Sequence, residues 1–312
     1  MKVVIPGGSG FLGQALSKAL LQDGHEVVVL TRSLQPGVVV YEPDTGLPGL
    51  TNAGWLPDGT DGTGYWARLL DGADAVVNLA GESIAARRWS TAQKARIRDS
   101  RVLATRSVVS AIRAATAPPA TLVNASAIGY YGDRGDEELT EKSPPGDNFL
   151  AKSCLDWEAE AREGEAAVSR LVILRTGIAL DRDGGPLQKI LPPFKLFVGG
   201  PLGSGRQFMS WIHLADWVNL VRWTLLTEEA TGVFNATAPA PVTNAEFSKA
   251  LGRALGRPSL LPAPAFVLRF TLGELADELL LEGQRVRPSR ALALGFNFGF
   301  STINQALTSI LN

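Results

Sequence analysis

Gly7, Gly8, Ser9, Gly10, Phe11, Leu12 and Gly13 form a run whose glycines meet two spacings at once. G-x-x-G-x-x-G falls on 7, 10 and 13, and G-x-G-x-x-G on 8, 10 and 13. The chemistry such a run can do is to hold phosphate. The early glycines let the backbone turn tightly and approach a pyrophosphate, and the last lets a helix sit close to a sheet. A helix starting there offers free N–H groups and the positive end of its dipole. A second group lies at Thr31-Arg32-Ser33, where an NAD-selective site carries Asp or Glu for the ribose 2′-hydroxyl. An arginine among hydroxyls suits a 2′-phosphate instead, because its rigid fork of donors matches a dianion. The pair of features predicts NADP(H) as cofactor.

Other chemistries lack their residues. With two histidines and one cysteine, Cys154, no metal-ligand cluster or intrachain disulfide is expected. Gly203-Ser204-Gly205 sits in a loop rather than a strand-to-helix elbow, which argues against a hydrolase. The Gly199–Arg206 loop could close over a substrate, with Arg206 on an anionic group, or be a structural turn. Arg87, Arg88 and Arg101 could line an anion pocket or be solvated. His213 and Asp216 read as structural, Asp216 as a helix cap. Trp211, Trp217 and Trp223 read as packing.

The elements that must position these residues follow a strand–helix rhythm. Lys2–Pro6, Val27–Leu30, Val38–Tyr41, Asp74–Leu79, Thr121–Ser126 and Leu171–Arg175 read as strands. A helix runs from the glycine loop to about Leu21, another from Ser90 to Thr116, and a third from Phe149 to Ala167 with Phe149, Leu150, Cys154 and Leu155 on its apolar side. Residues 43–63, rich in Gly, Pro, Asp and Thr, read as a loop or small insertion. The implied fold class is α/β, a doubly wound parallel sheet of Rossmann type. Residues 1–180 form the nucleotide domain, to which 213–237 return, and 181–212 with 238–312 form a smaller, mostly helical C-terminal lobe. The 312 residues are 45% apolar and 20% charged, with 30 basic and 31 acidic side chains and a net charge of −1. Nothing in that balance points to nucleic acid or an anionic membrane. No apolar run is long enough to span a bilayer, and Met1 stands directly before the first strand, so a soluble cytoplasmic protein is expected.

Pro6–Gly13, Asn78-Leu79-Ala80-Gly81, Ser126-Ala127-Ile128-Gly129-Tyr130-Tyr131-Gly132 and Trp211-Ile212-His213-Leu214-Ala215-Asp216 resemble the extended short-chain dehydrogenase/reductase superfamily. More specific are Arg87-Arg88-Trp89, Asp99-Ser100-Arg101-Val102, the stretch from Gly199 to Gln207 and Leu281-Glu282-Gly283-Gln284-Arg285-Val286. Together they resemble an atypical epimerase-family branch, some of whose members carry a cell-division-inhibitor label. The resemblance spans nearly the whole chain. It implies an NADP-binding Rossmann fold of extended short-chain dehydrogenase type with a small family-specific C-terminal domain, and it implies that Asn78, Leu79, Ala80 and Gly81 line the cofactor.

The superfamily's chemistry uses Ser, Tyr and Lys, the last two spaced Y-x-x-x-K. The lysine one turn on lowers the tyrosine pKa toward neutrality. Ser126 matches the serine and Lys152 the lysine, which also serves as a ribose contact in the family. The tyrosine position holds Asn148, which cannot act as a general acid. Tyr131 or Tyr130 could supply the proton, or a substrate, a water or another residue could carry it. The expected activity is an oxidoreductase or epimerase on an unknown small polar metabolite. The alternative is a non-catalytic NADP(H)-responsive sensor or scaffold. A homodimer is the expected assembly by resemblance.

Overall fold

Strands buried on both faces read as unbroken apolar runs, and this chain builds its centre from such runs. The structure, a computed structural model, describes residues 1–41, 49–60 and 64–311, with Tyr41 as backbone only. β1 (Lys2–Pro6), β2 (Glu26–Thr31), β5 (Ala75–Asn78), β6 (Thr121–Ala127), β8 (Arg170–Thr176) and β12 (Gly232–Ala236) are parallel. With β4 (Leu50–Gly54) parallel to β2 and β3 (Val39–Tyr41) antiparallel at the edge, the eight strands take the order β12-β8-β6-β5-β1-β2-β4-β3. Helices α1 (Phe11–Gln22) and α5 (Leu214–Leu226) cover one face through Leu16, Leu20, Trp217 and Leu220. On the other face lie α2 (Thr91–Ala114) and α3 (Phe149–Arg162), which bury Val108, Ile112 and Ala161.

The remaining elements lie outside the eight-stranded sheet. β9 (Ile178–Leu180) pairs with β11 (Trp211–His213), and β10 (Phe208–Met209) with β13 (Val242–Thr243). β7 (Glu138–Leu139) pairs with β14 (Arg285–Val286). Helices α4 (Gly185–Lys195), α6 (Asn244–Leu255) and α10 (Ile303–Leu311) share a core that includes Leu187, Phe194, Trp211, Phe247 and Leu307. Shorter pieces, α7 (Ala265–Leu272), α8 (Glu274–Ala276), a π turn at Asp277–Leu281 and α9 (Ser289–Ala293), complete the chain.

Three sequence expectations change. Residues 43–63 are not simply a loop, because β4 lies within them and extends the sheet. Its sequence, Leu-Thr-Asn-Ala-Gly, has no apolar run, so backbone pairing with β2 makes it a strand, and a side chain at Gly54 would strike the Gln35 carbonyl. Residues 42–48 and 61–63 of that segment lie outside the described residues. Helix α3 ends at Arg162, followed by a turn at Glu165–Ala167. Its buried face is Ala151, Cys154, Trp157, Glu158 and Ala161, while Leu155 is exposed. Finally, His213 rather than Asp216 caps α5, its Nδ1 accepting from the Ala215 N–H at 3.0 Å. Asp216 instead accepts from the N–H groups of Gly299 and Phe300, both at 2.9 Å, and so ties the C-terminal segment to the sheet domain.

Candidate active site at the carboxyl edge of the sheet

β1 and β5 are neighbours from which the chain winds in opposite directions, and an open sheet binds its ligand at that crevice. Gly7, at φ +78°, stands there; a Cβ on it would lie 2.8 Å from the backbone of Ala80 in the loop after β5. A Cβ at Gly13 would lie 2.5 Å from the Gly8 Cα, so α1 approaches the turn as closely as a helix can. Gly10 caps α1 without a side-chain acceptor, which leaves the first-turn N–H groups to a ligand. The Ser9 hydroxyl meets that of Thr31 at 3.0 Å, and Thr31 accepts from the Ser33 N–H at 3.1 Å, locking the turn to the end of β2. Arg32 projects from that point, exposed and without an acidic partner among the described residues. The cradle fits a dinucleotide. A feature not read from the sequence is the start of α4, where side chains at Gly184 and Gly185 would strike the Phe11 ring. The second helix N-terminus thus packs over the phosphate turn. Its signal was Gly184-Gly185-Pro186, two small residues and a proline at a helix start.

Asn78 has no accessible surface. It donates to Thr105 Oγ1 at 2.9 Å and Asn124 Oδ1 at 2.7 Å, and accepts from the Ala80 N–H at 3.3 Å. It therefore shapes the Asn78–Gly81 loop from below; Leu79 is half-buried, Ala80 buried and Gly81 exposed.

Ser126 and Tyr131 do not stand open to a substrate. Glu158 on α3 and Arg175 at the end of β8 form a bidentate ion pair at 2.8 and 2.9 Å, with 4% and 3% of their side chains exposed. Ser126, itself 3% exposed, donates to Glu158 Oε1 at 2.7 Å. The Tyr131 hydroxyl accepts from Arg175 Nη1 at 3.0 Å and donates to Asn235 Oδ1 at 2.7 Å. Burial pushes the Tyr131 pKa up to about 12, against the lowering effect of Arg175. The tyrosine hydroxyl is enclosed here, and the serine proton has a carboxylate acceptor. In this structure both hydroxyls belong to a polar network beneath the crevice. The Tyr130 ring lies on the Arg175 guanidinium, 3.3 Å from centroid to Cζ.

Lys152 lies on the exposed side of α3, one turn from Asn148. Asn148 caps α3, its Oδ1 accepting from the Ala151 N–H at 2.9 Å. Burial, then the neighbouring Asp133 and Glu278, push the Glu282 pKa up. Gln207 pins the Gly199–Arg206 loop by donating to the carbonyls of Leu202 and Leu280, while Arg206, Arg87 and Arg88 are exposed. Among the described residues no cluster of His, Cys, Asp and Glu could hold a metal, and no helix is long and apolar enough to cross a membrane.

A twisted parallel sheet with a glycine cradle at its switch point and an arginine at the end of the second strand defines a Rossmann-type nucleotide-binding protein. The chain belongs to the NAD dependent epimerase/dehydratase family, whose pattern matches residues 3–236, and a domain of unknown function, DUF1731, matches residues 263–310. It is 41% identical to an epimerase family protein of Mycobacterium tuberculosis, over 98% of this chain and 96% of that one. It is 37% identical to human epimerase family protein SDR39U1, over the full length of both. A crystal structure of that human protein (isoform 2) with NADPH superposes with a TM-score of 0.87 at 37% identity, covering 100% of this chain and 99% of that one. The UDP-glucuronic acid 4-epimerase of Bacillus cereus, at 16% identity and a TM-score of 0.77, covering 100% of this chain and 96% of that one, shares the fold.

Proposed function

We propose that the chain is an NADP(H)-dependent oxidoreductase or epimerase-like enzyme acting on a small polar metabolite. The phosphate cradle with the exposed Arg32 at its rim carries this reading, and the NADPH in the human relative's structure supports it. Bound there, the nucleotide supplies a hydride at the nicotinamide C4. The N–H groups of residues 11–13 would hold the pyrophosphate, Arg32 and Ser33 the 2′-phosphate, and Lys152 the ribose. Leu79, Ala80 and Gly81 form the wall of the crevice. Ser126, Glu158, Arg175 and Tyr131 keep the end of the sheet rigid, and the proton passes through substrate or water. The second reading, an NADP(H)-responsive sensor, is favoured by Asn148, a helix cap where the superfamily places its acid.

Fluorescence titration with NADPH and NADH tests the cofactor. Wild type should prefer NADPH, and Arg32→Glu should weaken NADPH about ten- to hundredfold while sparing NADH, as expected for lost charge-assisted hydrogen bonds. Equal binding of both nucleotides by wild type refutes the assignment. NADPH consumption with a panel of small aldehydes and ketones separates enzyme from sensor; binding without turnover across the panel favours the sensor.

A further inference from the structure

Arg101 is a cation in an unusual setting. It sits on α2, beside the loop that follows β5 and on the side of the crevice away from Arg32. One face of its guanidinium lies toward the Trp157 ring, 5.2 Å from the centroid. Gly81 packs against the side chain so closely that a Cβ there would come within 3.2 Å of Arg101 Cγ and Cζ. Of its five N–H donors one is used, Nη1 to the Ile97 carbonyl at 2.8 Å. No carboxylate among the described residues lies within ion-pair distance; Glu82 attracts it only from farther away and is itself held by Gln93 at 2.8 Å. Loss of water pushes its pKa below the ordinary arginine value. Arg101 is half-buried, and a partly desolvated cation without a counter-charge among the described residues is costly unless a ligand completes it.

With one donor used and one face toward Trp157, the rest of the fork is left for that ligand, and a planar anion approaching in its plane makes two parallel hydrogen bonds. We propose that Arg101 is the anchor for a carboxylate group of the substrate, so that the metabolite handled in this crevice is a small carboxylic acid. The assignment rests on the reading of the crevice as an NADP(H) site with its reacting end between β5 and β6. A side chain at Gly81 would press on the anchor, whose Cγ and Cζ lie 3.2 Å from where a Cβ would stand.

Calorimetric titration of the NADPH-loaded protein with oxalate, and separately with inorganic phosphate, provides the test. Wild type should bind oxalate. Arg101→Gln should weaken it about thirtyfold or more, the usual consequence of removing one partner of a desolvated charge pair, and Arg101→Lys should retain part of the affinity. NADPH affinity and melting temperature, measured on the same variants, should not fall. The proposal is overturned if wild type binds no oxalate at millimolar concentration, if Arg101→Gln binds it as well as wild type, if phosphate binds in its place, or if Arg101→Gln loses NADPH in parallel. Should NADPH fail to bind wild type while oxalate binds in an Arg101-dependent way to the nucleotide-free protein, the cofactor reading falls and the anion site stands.

Discussion

Glu158→Gln is the sharpest perturbation of the network beneath the crevice. The substitution keeps the shape of the side chain and removes its charge. Arg175, 3% exposed, would then stay buried with Tyr131 and a neutral amide as its polar partners, and Arg162, 3.9 Å from Glu158 at the rim, would lose its attraction too. Breaking a buried pair by neutralising one member costs about 3–5 kcal/mol, because the other charge is left uncompensated. Unfolding entropy near 60 °C is about 2.1 cal/mol/K per residue, hence roughly 0.65 kcal/mol/K for 312 residues. The melting temperature should therefore fall by about 5–8 °C. Calorimetry on the nucleotide-free protein measures it, with Glu158→Leu/Arg175→Met as the control. That double variant removes both charges together and should recover most of the loss. A drop smaller than about 2 °C for the single variant, or a double variant as unstable as the single one, would refute the claim that an isolated buried charge is the source.

Tyr131→Phe should leave any turnover rate unchanged within a factor of about two while lowering stability by about 1–3 kcal/mol, since Arg175 Nη1 and Asn235 Oδ1 each lose a partner; a collapse in rate with unchanged melting would restore Tyr131 as a reacting group. For Glu282 the sign follows from its raised pKa. The fold disfavours the charged form, so ionisation at neutral pH lowers stability, and the penalty fades as pH falls through the raised pKa. Glu282→Gln should accordingly melt higher than wild type at pH 7, and the two should converge in acid. A difference independent of pH would show that the carboxylate charge is not responsible.

The nucleotide half of the site was legible because its signal is local. The glycines, the apolar runs of β1 and β2 and the arginine between two hydroxyl residues lie within one strand–helix–strand unit, where period and turn chemistry decide the structure. β4 was not legible because it is a strand by pairing rather than by composition. The fate of Ser126 and Tyr131 was hidden for another reason. Their partners arrive 32 and 44 residues later in the chain, and no local pattern connects them. A trace was present all the same. Glu158 falls one turn from Cys154 and Ala161 on the buried face of α3, and Arg175 directly follows the apolar run Leu171–Leu174 of β8, so opposite charges stood at two core positions. The cap on α5 was misassigned for a smaller cause. Asp is the commoner N-cap, but here the loop carrying Gly299 and Phe300 takes its carboxylate, and the preceding histidine satisfies the helix.

Arg175 and Arg101 are both desolvated cations near the carboxyl ends of the strands, and they differ in one respect that divides structure from function. Arg175 has its carboxylate, and each of its three nitrogens donates a hydrogen bond. Arg101 has an aromatic face, a backbone carbonyl and no ion partner among the described residues. A charge that folding alone had to justify would be paired or absent; one retained without a partner is a cost carried for binding. The two residues should then respond oppositely to neutral replacement. Arg101→Met keeps most of the stem packed on Trp157 and Gly81 and removes the unpaired charge, so the ligand-free protein should melt about 1–3 °C higher than wild type, a gain of about 0.5–2 kcal/mol of the kind found where function has held stability down. Arg175→Met alone should destabilise, because it strands Glu158. If Arg101→Met instead lowers the melting temperature by as much as Arg175→Met does, Arg101 is a structural member of the core, and the anion it waits for does not exist.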